Sequence, residues 1–182
     1  MSISKLVSPA SIEVVGASQK RGRGLRVLEN LKTFGFAGDV FGVHPDYEEV
    51  AGFRCVQRVA DLPYPVDCMV VAVSADPACD VLEQGFELGI EAAVILAAGF
   101  GEGGHGGSRV VRLQRLGADG MSICGPNCYG VLNLRTGGSA FSGALPKQLH
   151  PGNVALISQS GGLGANAFLP LMTERRIGFS HF

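Results

Sequence analysis

The sequence predicts an α/β fold built on a doubly wound parallel sheet, and three observations carry that prediction. Short apolar runs alternate with amphipathic stretches, the pattern of βαβ units. Two runs, "VDCMVVAVS" (66–74) and "AAVILAAG" (92–99), are continuously apolar, as strands covered on both faces are. Each run ends in a segment rich in Gly, Pro, Ser or Asn, the composition of a turn.

In chain order, Ile12 to Gly16 is short and β-branched and reads as the first strand. "LRVLENLKTFG" (25–35) then sets Leu25, Leu28 and Leu31 near helical spacing before Gly35 stops the helix. "DVFGVHP" (39–45) is a second strand that ends at a proline, and the run at 66–74 is the next. Pro77 to Gly89 brings Val81, Leu82 and Phe86 to one side of a helix, with Pro at its start and Asp76 as the expected N-cap. The strand at 92–99 enters the glycine-rich "GFGEGGHGG" (99–107), which leads to a helix near Ser108 to Leu116. "MSICGPN" (121–127) gives a further short strand running into a turn. Joined by right-handed crossovers, these elements predict a Rossmann-like domain within residues 1–134, ordered from about residue 8. Ligands of such sheets sit outside the carboxyl ends of the strands, so "GASQ", "VHP", "VSADP", "AAGFGE" and "GPNCYG" are expected to share one rim.

Composition narrows the function. The 182 residues carry a net charge of −1 with 17% charged residues, so no broad basic surface awaits nucleic acid or an anionic membrane. No apolar run approaches the roughly 20 residues of a membrane span, and "MSISKLVSPAS" lacks the core of a signal peptide, which gives a cytoplasmic expectation. Cys55, Cys68, Cys79, Cys124 and Cys128 show no C-x-x-C spacing, and His44, His105, His150 and His181 form no close pair. Neither a disulfide framework nor a metal site is expected.

The opening loop sharpens the question of ligand. A dinucleotide fingerprint needs G-x-G-x-x-G and an acid closing the second strand. Here Gly16 is followed by five other residues before Gly22 and Gly24, and the second strand closes in His44-Pro45. In place of that signature, Lys20, Arg21, Arg23 and Arg26 fall within seven residues beside a helix start, an arrangement suited to a ligand with several phosphates. A solvated basic turn explains the same charges equally well.

Taken together, "VVGAS", "NLKTFGFAGDVFGVHP", "AAVILAAGFGE", "GPNCYGVLN" and "GNVALISQSGGLG" with the final "IGFSHF" carry a resemblance. In this order they are similar to the NDP-forming acyl-CoA synthetases, which include the α subunit of succinyl-CoA ligase. The resemblance is to their CoA-binding domain, followed by a linker at 135–151 and, over 152–182, the first strand and helix of a flavodoxin-like (succinyl-CoA ligase-like) domain.

The resemblance implies coenzyme A as the ligand. It places Gly16, Ala17, Ser18 and Gln19 against the CoA phosphates or pantetheine, and the basic cluster then puts Lys20 and Arg21 alongside. Gly42, Val43, His44 and Pro45 form the adjacent wall; Val73, Ser74 and Ala75 lie beside the adenine end. Ala98, Gly99 and Phe100 line the path to the thiol, and Asn127 holds a turn near the acyl-transfer centre. Three positions depart from the family: His44 replaces a common Asn, Asp46 a common Lys, and Ser74 a common Pro. An acid at 46 repels a nearby phosphate by roughly 1 kcal/mol when partly exposed.

In the second segment an apolar strand, Val154 to Ile157, runs into Ser158-Gln159-Ser160-Gly161-Gly162 and a helix through Leu169. The helix start suits an anion, and the resemblance implies that Ser158, Ser160 and Gly161 cradle the phosphate of a phosphohistidine. A nucleophile elbow at Ser160 fails because Ser158 stands where Gly is required and no Asp follows.

The resemblance further implies the reaction acyl-CoA + NDP + phosphate giving acid, CoA and NTP. No catalytic residue is expected within this chain, because none of its histidines matches the phosphorylated one. Nucleotide and Mg would act through further domains, with an ATP-grasp domain or subunit as partner and a homo-oligomer allowed. Residues from about 152 are expected to lack sheet partners, so the chain reads as part of a longer protein. Two other readings stay open: a CoA- or nucleotide-sensing regulatory domain like that fused to some protein acetyltransferases, and a plain NAD(P)-binding domain.

Overall fold

The computed structural model describes residues 3–101, 107–146 and 148–182. A short helix, α1 (Ser4–Val7), precedes β1 (Ser11–Val15), all five of whose residues are buried. Next come α2 (Arg23–Thr33), β2 (Asp39–Val43), β3 (Glu49–Val50), β4 (Phe53–Val56) and a 3-10 turn at Val59–Asp61. The second half of the domain is β5 (Cys68–Val71), α3 (Ala75–Glu87), β6 (Ala92–Ile95), α4 (Gly107–Ala118) and β7 (Ser122–Cys124). These strands form one sheet in the order β3-β4-β2-β1-β5-β6-β7, parallel throughout except for β3.

The alternation of side chains across the sheet splits the core in two. Ile12, Val14, Cys68, Val70, Ala92 and Val94 face α2, where Val27, Leu28 and Leu31 close over them. Val15, Met69, Val71, Ala93 and Ile95 face the other way, beneath Leu82 of α3 and Leu113 and Leu116 of α4. The central strands are therefore apolar at successive positions, because neither face meets water. One acidic side chain breaks the rule: Glu13, in register with Phe41 and Met69, is fully buried and neither carboxyl oxygen has a hydrogen-bond partner.

Several sequence expectations are refined here. Helix α3 begins two residues earlier than expected, with Ser74 at the N-cap position. Asp76 thus lies inside the first turn instead of capping it, and its carboxylate accepts a 2.6 Å bond from Arg109 Nε. Strands β3 and β4 carry no expectation from the sequence. The glycine-rich loop lies partly outside the described residues, including His105.

Beyond β7 the chain forms a hairpin of β8 (Gly130–Leu132) and β9 (Ser139–Phe141), the latter inside the stretch expected to be a linker. Then follow β10 (Pro151–Ala155), α5 (Gly161–Leu163), a π-helical turn at Gly164–Phe168, α6 (Leu169–Glu174) and β11 (Phe179–His181). The strand expected to run to Ile157 stops at Ala155, and Ile157 is 96% exposed. The expectation that this segment lacks partners is corrected: β11 pairs parallel with β10. Leu132 and Phe182 exchange backbone hydrogen bonds at 2.7 and 2.8 Å, and Leu132, Phe141, Ala165, Leu169 and Phe179 bury a small core of their own.

Candidate functional site

The strand order fixes where a ligand can sit. The chain winds outward from β1 through β2 and β4, then returns to build β5, β6 and β7 on the other side. The crevice at that reversal lies beyond the carboxyl ends of β1 and β5, where Gly16 and Ala72-Val73 stand. Two cavities open there and share Ala72 and Val73 as their common wall.

The first, about 460 Å³, is lined by Gly16, Val43, His44, Pro45 and Val73, all expected from sequence. The second, about 330 Å³, is lined by Arg23, Val73, Ser74 and Ala98 with Leu96 and Ala97. Glycine is required at position 16: φ is +85°, and a Cβ there would stand 3.0 Å from Val73 Cγ1 and 3.2 Å from the Ala72 carbonyl carbon. A β-carbon would both strain the turn and fill the floor of the crevice.

Two helix N-termini point at this rim without side-chain caps. Helix α2 starts after Gly22 and α3 after Ser74, so their first amides stay available to an anion. The basic cluster divides its labour. Arg23 Nη1 donates to the Leu96 carbonyl, clamping α2 to the end of β6. Arg26 pairs with Glu29 at 3.6 Å. The Lys20 and Arg21 side chains are exposed and make no hydrogen bond or ion pair among the described residues.

The remaining candidates fall in different places. Ala17 and Gly42 are buried beneath the rim, pressed together on the α2 face of the sheet with Cys55. Ser18 Oγ accepts from Lys20 N at 3.1 Å and Gln19 Nε2 donates to Glu49 O at 3.4 Å, so both shape the loop. His44 is largely covered, its Nδ1 accepting from Asp46 N at 3.2 Å and its ring 4.5 Å from Tyr47; Asp46 itself is exposed. Ala75 packs into the core. Gly99 O accepts from Arg109 Nη1 at 2.8 Å, and Phe100, buried, lines a third cavity of about 410 Å³ with Gly125, Pro126 and α4 residues.

Asn127 occupies the left-handed region at φ 52°, and its amide donates to Ala97 O at 2.9 Å, tying the 125–128 turn to the end of β6. The same turn runs into Tyr129, whose ring lies so close to Gly161 that a Cβ there would overlap it. One turn therefore bridges the crevice and the Ser158–Gly161 helix start. There Ser160 Oγ accepts from Leu163 N at 3.3 Å and Ser158 Oγ donates to Ser160 O at 2.8 Å, so both hydroxyls serve the cap.

Sequence reading missed Gln57, Arg58 and Gln84 on the first cavity wall. The signal for the first two was the apolar Cys55-Val56 before a polar pair, which places them at the carboxyl end of β4; Gln84 needed the helix position. Arg58 is held by Asp61 through bonds of 2.9 and 3.1 Å, and that partner raises its pKa further while lowering that of Asp61. Among the described residues no group of three or more His, Cys, Asp or Glu could hold a metal ion. No helix among them is long and apolar enough to cross a membrane.

A doubly wound sheet with a glycine-floored crevice at its switch point and two helix starts on its wall defines a Rossmann-like α/β domain. Within that class the chain belongs to the CoA binding domain family, whose pattern matches residues 10–133. Among relatives, it is 36% identical over 178 residues to the α subunit of acetate–CoA ligase (ADP-forming) II of Pyrococcus furiosus, covering 96% of this chain and 38% of the relative. Acetate–CoA ligase (ADP-forming) II of Archaeoglobus fulgidus is 34% identical over 180 residues, covering 96% of this chain and 26% of the relative. Among solved structures, the dinucleotide-forming acetyl-coenzyme A synthetase 1 of Candidatus Korarchaeum cryptofilum, complexed with phosphate and ADP, superposes with a TM-score of 0.90 at 35% identity. That match covers 99% of this chain and 38% of the other. The chain thus resembles the CoA-binding part of ADP-forming acyl-CoA synthetases and spans between about a quarter and two fifths of their length.

Proposed function

We propose that this chain binds coenzyme A along the carboxyl edge of its sheet and serves as the CoA-binding portion of an ADP-forming acyl-CoA synthetase. The observation that carries the reading is the Gly16–Val73 crevice at the switch point, with the starts of α2 and α3, at Arg23 and Ser74, on its wall. The diphosphate of CoA would lie over Gly16 to Gln19 and the start of α2, with Lys20 and Arg21 beside it. Val43, His44 and Pro45 would form one wall and Val73, Ser74 and Ala98 the other, leading the pantetheine toward Asn127. Ala17, Gly42 and Ala75 would act by setting the backbone that carries these contacts.

When bound, CoA supplies the thiol that attacks the acyl carbonyl. This domain's own task is then to orient the thiol and hold anions, with no base required of it. The family resemblance supports assigning 152–182 as the opening of a second domain, with Ser158 to Gly161 near a transferred phosphoryl group. Nucleotide and Mg would be handled by an ATP-grasp partner, and a cytoplasmic setting fits that chemistry.

Titration calorimetry on this chain tests the reading. CoA should bind, and Gly16→Val should abolish binding while circular dichroism shows the fold retained. Tighter binding of NADH than of CoA would overturn it in favour of a dinucleotide site.

A further inference from the structure

The turn that joins the crevice to the Ser158–Gly161 helix start carries a feature the proposed function leaves unused. Cys124 closes β7 and Cys128 follows the Gly125-Pro126-Asn127 turn, which returns the second sulfur to within 3.9 Å of the first. Both are only partly covered, whereas Cys55, Cys68 and Cys79 are buried and burial pushes their thiols up. The Cys128 sulfur is within hydrogen-bonding reach of Ile95 O at 3.3 Å, so its S–H helps Asn127 N hold the turn against β6.

We propose that Cys124 and Cys128 form a redox-active thiol pair, which closes to a disulfide by exchange with a low-molecular-weight disulfide and reshapes the turn beside the crevice. The contact between the two sulfurs lowers the Cys124 thiol, while the same contact, together with burial, raises Cys128. Cys124 is therefore the attacking sulfur, since the thiolate is the nucleophile. Its thiolate displaces one thiol from the small disulfide and forms a mixed disulfide. Cys128, giving up its proton, then attacks Cys124 Sγ and expels the second thiol. Two protein thiols and one small disulfide become one protein disulfide and two small thiols.

Closure must bring the sulfurs from 3.9 Å to the roughly 2.05 Å of a covalent bond. The Cys128 S–H is consumed, so its contact with Ile95 O is lost, while the Asn127 amide still holds the turn to Ala97 O. Any effect on ligand binding rests on the CoA reading given above, whereas formation of the bond does not.

The experiment exposes the chain to glutathione redox buffers and maps it by non-reducing peptide mass spectrometry, then measures CoA affinity of the reduced and oxidised forms by calorimetry. A Cys124–Cys128 linkage should form, reversible with excess reduced glutathione, with the other three thiols still open to alkylation after denaturation. Oxidised protein should bind CoA about fivefold more weakly, the effect of losing roughly one hydrogen bond from the turn. Cys128→Ser should remain oxidant-insensitive in affinity, and Cys124→Ser likewise. Persistent free thiols at 124 and 128, or linkage to any other cysteine, would overturn the pair. A linkage that leaves affinity unchanged would overturn its coupling to the crevice. Absence of CoA binding by the reduced chain would refute the functional reading alone, with the disulfide map still deciding the pair.

Discussion

Replacing Glu13 by Met should flatten the dependence of stability on pH and leave the protein more stable in neutral and basic solution. Glu13 lies in the middle of β1 among apolar side chains with no partner for its carboxyl, and this burial raises its pKa from 4.5 to about 8. Such a displacement corresponds to about 5 kcal/mol between the protonation states, an order-of-magnitude figure. Below about pH 4.5 the folded and unfolded chains both hold the proton, and stability is at its fullest. As pH rises the unfolded chain ionises first, so stability drains away until about pH 8, where the folded protein titrates too and the loss levels off. Urea unfolding of both proteins between pH 4 and 9 measures the difference. Their gap should widen by up to about 5 kcal/mol across that window. Glu13→Gln should lose the same pH dependence but gain less stability, because an unpaired buried amide costs about 1–3 kcal/mol. Parallel pH profiles for Glu13→Met and the parent would refute the assignment of a neutral buried acid.

Three further outcomes follow from the geometry. Lys20→Ala with Arg21→Ala should weaken CoA binding about threefold to tenfold at low salt and shrink its salt dependence, since exposed cations act through screened attraction; an unchanged salt slope in calorimetry would remove both from the site. Asn30→Ala should destabilise the protein by about 2–3 kcal/mol, because the buried Asn30 Nδ2 donates to Phe141 O at 2.7 Å and Gly143 O at 3.1 Å and both carbonyls would lose it. Gly42→Ala should cost about 1–3 kcal/mol in urea unfolding, since the new Cβ would run into Cys55 Sγ and lie 3.0 Å from Ala17 Cβ.

Sequence alone was enough for the layered α/β fold, because continuous apolar runs such as Cys68–Val71 and Ala92–Ile95 suit only strands covered on both sides. It also brought Gly16, His44, Pro45 and Val73 to one edge, since in a parallel sheet all carboxyl ends share a side. Two-residue β3 and the β8–β9 hairpin were illegible: their pairing energy comes from distant partners, and no local period marks them.

What only the tertiary structure decided was the use made of each residue. Four cations lie within seven positions of the sequence, yet Arg23 reaches across to β6, Arg26 turns to Glu29, and Lys20 and Arg21 take no partner among the described residues. Cys124 and Cys128 look like two scattered thiols until the turn brings them within 3.9 Å. The reason is common to both cases. Side-chain type and spacing set what the backbone becomes, whereas the partner a side chain meets depends on contacts between segments far apart in the chain.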